Sequence, residues 1–235
     1  MNDLKAKLEA VHSRIANACR ENGRNPADVR LLAVGKGHPA SAVEALRAAG
    51  QRAFGENYVQ EALAKVAAIG DPSIEWHFIG PLQSNKTADV ARTFAWVQSV
   101  DREKLLRRLS AQRPASLPPL NICLQVNIDR EPQKAGALPE SVPALAQLTE
   151  ELPGLALRGL MAIPKPASAT HDPMPSFAAV AELLGSLQDR GYRADTLSLG
   201  MSGDLETAIR AGSTLVRVGT DLFGPRPAQK RFAQE

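Results

Sequence analysis

Eight short runs rich in β-branched and apolar residues recur along the chain, and stretches of helical length lie between most of them. The runs are Val29–Val34, Arg52–Gly55, Ile74–Ile79, Ala95–Val100, Ile122–Ile128, Leu157–Ile163, Thr196–Leu199 and Leu215–Val218. Helical patterns fill Ala40–Ala49, Tyr58–Ile69, Asp101–Gln112, Glu140–Glu151, Ser176–Arg190 and Leu205–Ala211. Ahead of the first run, Leu4, Leu8, Val11, Ile15 and Ala18 are spaced by three and four, which predicts an amphipathic helix over 2–22. Gly50, Gly70, Gly191 and Gly212 stand where helices should stop, positions that favour a left-handed backbone. Strands separated by helices pair in parallel through right-handed crossovers. Eight such units close into a (β/α)₈ barrel, an α/β fold of about 250 residues. The competing architecture is an open doubly wound sheet, but no GxGxxG dinucleotide turn follows the first run.

Composition narrows the function classes. The chain has 235 residues, 44% of them apolar, and 28 Lys and Arg against 25 Asp and Glu give a net charge of +3. That is too apolar and too nearly neutral for a disordered chain, and the length predicts one barrel domain over 1–235. The Pro-rich segments Pro114–Pro119 and Pro164–Pro175 read as surface loops, because strands resume on the same period after each. Basic residues are interleaved with acids, as in Asp101-Arg102-Glu103-Lys104, so a solvated surface is expected and no nucleic-acid partner. Cys19 and Cys123 belong to no CxxC pair and read as reduced thiols of a cytoplasmic protein. The N-terminus is charged and lacks a signal-peptide core, and no run of 18 apolar residues predicts a membrane span.

In such a barrel the active site lies where strands end and the following loops begin. Leu32, Val34 and Lys36 share one face by the period of two. A lysine that continues an inward apolar face is desolvated, paired or bound to a ligand; a lowered pKa would let its amine attack an aldehyde. The competing reading is a strand-end lysine that reaches solvent. Gly35 and Gly37 leave room for a flat ring beside it. Gly200-Met201-Ser202-Gly203-Asp204 precedes a helix and places Ser202 as its N-cap. With Gly219-Thr220 after the last run, it predicts an anion site at the seventh and eighth loops, though Ser202 as a mere cap stays open. Arg217 alternates with Val216 and Val218, so its guanidinium should point inward, either to a ligand or to Glu56. His77 has no second metal ligand nearby and reads as a core or site-lining residue, while His12 and His171 read as surface residues. No GxSxG occurs, and Glu56 has no evident acidic partner.

Several of these segments together resemble the pyridoxal phosphate homeostasis proteins. They are Leu32-Ala33-Val34-Gly35-Lys36, Phe54-Gly55-Glu56-Asn57-Tyr58-Val59-Gln60-Glu61, Trp76-His77-Phe78-Ile79-Gly80-Pro81-Leu82-Gln83-Ser84-Asn85-Lys86, Gly159-Leu160-Met161-Ala162-Ile163, Leu199-Gly200-Met201-Ser202-Gly203-Asp204 and Val216-Arg217-Val218-Gly219-Thr220. The resemblance implies a barrel like the N-terminal domain of alanine racemase, with pyridoxal 5′-phosphate (PLP) held as a Schiff base on Lys36. It also implies Asn57 beside the cofactor, Ser202, Gly219 and Thr220 on its phosphate, and Arg217 facing the pyridine nitrogen. His77 and Met201 are counted with these cofactor-binding residues. The implied role is to hold, buffer or deliver PLP, as a monomer, to apo PLP-dependent enzymes, without catalysis of its own. Three departures stand out. Gly35 and Gly37 replace the usual Ser and Thr around the lysine, a basic residue further on is His38, and the small residue after Gly-Thr is Asp221. An acid facing the phosphate would weaken anion binding.

The alternative is an amino-acid racemase-like PLP enzyme. In alanine racemase the second base is a tyrosine contributed by another subunit's C-terminal β domain. Only a short tail, Pro225–Glu235, follows the last run, so that domain is expected to be absent. Tyr58 and Tyr192, the only tyrosines, both fall in predicted helices.

Overall fold

The computed structural model describes residues 2–166, 168 and 170–225. All eight apolar runs are strands: β1 Arg30–Val34, β2 Ala53–Glu56, β3 Glu75–Phe78, β4 Trp96–Val100, β5 Leu120–Val126, β6 Leu155–Ala162, β7 Thr196–Ser198 and β8 Leu215–Val218. Each pairs in parallel with the next, and β8 returns to β1 through Leu32↔Arg217 and Ala33↔Val218, which closes the barrel. The open-sheet alternative is thereby excluded.

The helices are α1 Asn2–Glu21, α2 Ala40–Ala48, α3 Val59–Ile69, α4 Thr87–Thr93, α5 Glu103–Gln112, α6 Val142–Glu151, α7 Met174–Asp189, α8 Leu205–Arg210 and α9 Thr220–Phe223. Two of them, α4 and α9, were not expected. Their 7 and 4 residues are too short for a helical period to emerge. The chain around Gly50, Gly70, Gly191 and Gly212 turns with φ of 107°, 62°, 90° and 102°, as the helix-stop reading requires. The expected helix over Glu140–Glu151 begins two residues late, because Pro139–Ser141 forms a 3₁₀ turn and Pro143 suits the first helical turn.

Burial divides into two layers. Between the barrel and its helices lies one continuous apolar cluster, to which α1 contributes Leu8, Val11, Ile15, Ala18 and Cys19. Inside the barrel are two smaller patches: Leu32, Val34, Ala53, Ile79 and Leu215 form one, and Trp96, Cys123 and Met161 the other. Buried polar residues, among them His77, Gln98, Ser198 and Arg217, complete the lumen. Trp96 stacks on His77 with centroids 5.0 Å apart, and the Arg158 guanidinium lies 4.8 Å from its ring centroid.

Both cysteines are free and buried, and burial pushes the Cys123 thiol up to about 12. Among the described residues no helix is long and apolar enough to cross a membrane, and no His, Cys, Asp and Glu side chains gather as a metal site. The tail beyond Pro225 and the loop residues Ala167 and Ala169 lie outside the described residues.

Candidate functional site

The C-terminal mouth of the barrel opens into a cavity of about 260 Å³. Seven of the eight expected residues line it: Lys36, Asn57, Met201, Ser202, Arg217, Gly219 and Thr220. Sequence reasoning did not single out Ile79 and Ile163, which give the cavity apolar walls. Their signal was available, since each closes an apolar run at the end where the site should lie.

Lys36 projects from a turn that is fastened on both sides. The Gly35 N–H continues the β1 ladder to Gly55 O at 3.0 Å. Lys65 of α3 donates to Gly35 O, Glu56 and Glu61, each at 2.7 Å. Glu61 in turn accepts the Gly37 N–H at 2.6 Å, with Gly37 left-handed at φ 76°. Glu56 is wholly buried, and its carboxyl is pushed up to about 7 by burial, against the opposing charge of Lys65. Glu56 is taken by Lys65, so the alternative reading of Arg217, a pair with Glu56, does not hold. A Cβ on Gly35 would lie 2.7 Å from Glu56 Oε1, which gives a steric reason for a glycine before this lysine.

Asn57 follows β2 at the rim. Its backbone carbonyl packs so tightly on Gly80 that a Cβ there would stand 2.0 Å from the oxygen, so only glycine fits. Asn57 Oδ1 is buried without a hydrogen-bond partner among the described residues, an orphan acceptor in the cavity wall.

Arg217 points inward, as its alternation with Val216 and Val218 predicted. Its guanidinium donates to Ser198 O at 2.6 Å, Ser198 Oγ at 2.8 Å and Ala162 O at 2.9 Å. No carboxylate among the described residues lies within salt-bridge distance, and burial lowers the group to about 10.

The loops after β7 and β8 supply donors. Backbone N–H groups of Ser202, Gly203 and Thr220, and the hydroxyls of Ser202 and Thr220, meet no acceptor among the described residues. Ser202, however, does not cap α8. Asp204 holds the cap position, and its carboxylate accepts the Met201 N–H at 2.6 Å, which closes the turn around Ser202. That leaves the Ser202 hydroxyl unused by the helix. Asp221 also departs from expectation, for it is turned outward onto Arg14 of α1. The same guanidinium holds Ser202 O at 3.0 Å and Glu206 at 2.8 Å, so the acid braces the loops from behind.

His77 is the misplaced member. Glu75, His77 and Ile79 share the inward face of the third strand, but only Ile79 is high enough to reach the cavity. The His77 ring is fully buried below it, bonded to Glu75 at 2.7 Å and Gln98 at 2.8 Å, and burial lowers its pKa. His12 is exposed and His171 half-buried. Tyr58 sits at the extended cap of α3, 52% exposed, and Tyr192 lies past the end of α7, so neither is helical and neither lines the cavity.

This arrangement is a lysine, a buried arginine and two donor-rich loops around a space suited to a small anionic ring compound. Residues 7–227 match the family model of the alanine racemase N-terminal domain. A Pseudomonas aeruginosa relative called pyridoxal phosphate homeostasis protein is 54% identical over 226 residues, covering 96% of this chain and 97% of that protein. The protein of that name from Escherichia coli K12 is 47% identical over 234 residues, covering 98% and 100%. The solved structure of PipY from Synechococcus elongatus with PLP bound superposes with a TM-score of 0.80 at 37% identity, covering 94% of this chain and all of that one. The chain therefore belongs to the family of pyridoxal phosphate homeostasis proteins, built on the alanine racemase N-terminal barrel.

Proposed function

We propose that this chain binds PLP in the cavity at the barrel mouth and acts in PLP homeostasis by holding and releasing it. The observation that carries the reading is the convergence of Lys36, Arg217, the orphan Asn57 oxygen and the acceptor-free donors of Ser202, Gly203 and Thr220 on one cavity. When bound, PLP supplies an aldehyde that condenses reversibly with a primary amine, and among the described residues Lys36 brings the one lysine amine to the cavity. The two loops supply hydroxyl and N–H donors for a phosphate, and Arg217 donates toward the ring nitrogen.

The same residues favour storage over turnover. A guanidinium beside the ring nitrogen disfavours its protonation, because two cations repel, and that weakens the ring as an electron sink. Neither tyrosine lines the cavity to serve as a second base. Apo PLP-dependent enzymes are the recipients in this reading, with the chain acting as a cytoplasmic monomer.

The ultraviolet–visible spectrum of purified protein tests the reading, followed by borohydride reduction and peptide mapping. Reduction should leave a pyridoxyl group on Lys36. A racemase assay with L-alanine completes the test. Turnover at an enzymic rate, about 1–10³ per second, that is lost in Lys36→Ala would replace storage by catalysis. PLP transfer to an apo-enzyme faster than spontaneous release would support delivery.

A further inference from the structure

A single hydrogen-bonded chain crosses the barrel lumen from the cavity to the opposite mouth. Arg217 of β8 donates to Ser198 Oγ of β7 at 2.8 Å, and that hydroxyl donates to Gln98 Oε1 of β4 at 2.7 Å. The Gln98 amide nitrogen lies 2.8 Å from His77 Nδ1 of β3, and His77 Nε2 lies 2.7 Å from Glu75 Oε1. Glu75, the first residue of β3, is paired with Arg30 at the N-terminal mouth.

The two ends, with a neutral His77 between them, set the direction of every bond. Arginine only donates, and a carboxylate only accepts. Ser198 therefore accepts from Arg217 and passes its own proton to the Gln98 oxygen. His77 meets the Glu75 carboxylate through Nε2–H, and because burial lowers its pKa the ring is neutral, so Nδ1 accepts from the Gln98 NH₂. His77, Gln98 and Ser198 are all fully or nearly fully buried, so water does not compete for these bonds. The arrangement also answers how Arg217 is tolerated, with no carboxylate beside it among the described residues. Its charge is met by carbonyl oxygens and by an oriented series of dipoles that ends on the Glu75 carboxylate.

The geometry points to Ser198, Gln98, His77 and Glu75 as a positioning relay that aims the Arg217 guanidinium at the ring-nitrogen side of the cavity and ties its charge to the far mouth of the barrel. This rests on the reading that the cavity takes PLP. None of the relay residues beyond Ser198 touches Arg217, so each acts through its neighbour. A substitution at Glu75, on the opposite face of the molecule, should alter how the cavity receives a pyridine nitrogen.

The test compares PLP with its carbocyclic analogue, in which the ring nitrogen is replaced by C–H. In Glu75→Gln and in Ser198→Ala the affinity for PLP should fall about three- to tenfold, with the analogue unchanged. The double variant should lose no more than Ser198→Ala alone, because the link is already cut. Equal losses for the two compounds would mark a merely structural role and overturn the relay, as would fully additive losses. Nitrogen chemical shifts of His77, measured on the ligand-free wild type, add a check that needs no variant to fold. They should show the Nε2–H tautomer, and the Nδ1–H form would overturn the relay. If wild type failed to take up PLP at all, the reading beneath would fall, while the tautomer would still decide the direction of the chain.

Discussion

Lys65 donates to the Gly35 carbonyl at 2.7 Å, and that bond fixes the backbone from which Lys36 projects. The ammonium lies in a buried cluster with Glu56 and Glu61, so the rigidity of the Lys36 turn depends on the ionisation of groups that never enter the cavity.

The Glu56 carboxyl gives this cluster a pH signature. Its folded pKa is raised to about 7 from an ordinary 4.5, so between those values the folded state binds a proton that the unfolded state does not. Stability from this group is therefore greatest at low pH, falls as pH rises from about 4.5 to 7, and is level above. Glu56→Gln keeps the shape and removes the titration. Chemical denaturation of both proteins from pH 5 to pH 8 should show wild type losing stability relative to the variant by roughly a kcal/mol or more. A constant difference would place the Glu56 pKa outside this window.

Lys36→Ala should abolish the borohydride-fixed pyridoxyl group and leave the melting temperature close to that of wild type. The lysine extends beyond β1 to the cavity and is only partly buried, so its truncation removes little packed apolar surface. Mass spectrometry of the reduced protein checks the site. A group found on Lys86 or Lys165 would move the assignment.

Ser202→Ala removes a hydroxyl that no helix uses. Loss of one hydrogen bond to a charged group costs about 1.5–3 kcal/mol, or roughly ten- to hundredfold in PLP affinity. Pyridoxal, which lacks the phosphate, should bind the variant and wild type equally. With Asp204 at the cap of α8, a parallel loss for pyridoxal would have to come from a shift of the whole loop.

Arg14 and Asp221 should behave as a brace outside the cavity. Arg14 is 35% exposed, so Arg14→Ala should cost only about 0.5–1 kcal/mol in thermal or chemical unfolding. Because the same side chain holds Ser202 O, PLP affinity should fall while pyridoxal affinity holds. Asp221→Asn should fail to improve PLP binding by calorimetric titration. An improvement would mean that the carboxylate faces the anion after all.

The barrel was legible because period alone marks each strand and the longer helices, and alternation alone marks what each strand turns inward. Arg217 was placed correctly on that basis, since Val216 and Val218 face the helices. Depth along the strand is what alternation leaves undetermined. Glu75, His77 and Ile79 share a face, yet they stand at the far mouth, the middle and the cavity wall respectively, and the choice of His77 for the site failed on that distinction. The direction of Asp221 was left open for another reason. Its direction is set by Arg14, 207 residues away, and no local pattern carries such a contact. The short helices α4 and α9 escaped because one or two turns cannot establish a repeat.

The latch made by Arg14 has a consequence for how the molecule is assembled on the ribosome. α1 must wait for the loop after β7 before the Arg14 guanidinium finds Ser202, 188 residues later. At ordinary rates of chain elongation that delay is roughly ten to forty seconds. Most neighbouring strands can begin to pair as they appear, whereas β1 with β8 and α1 with α8 and α9 are joined only once those later elements have been made. The two loops at the mouth thus acquire their shape later than the turn that carries Lys36. A chain interrupted before β8 would have the catching lysine, Arg14, Ser202 and Glu206, but neither Asp221 nor the loop that carries Thr220.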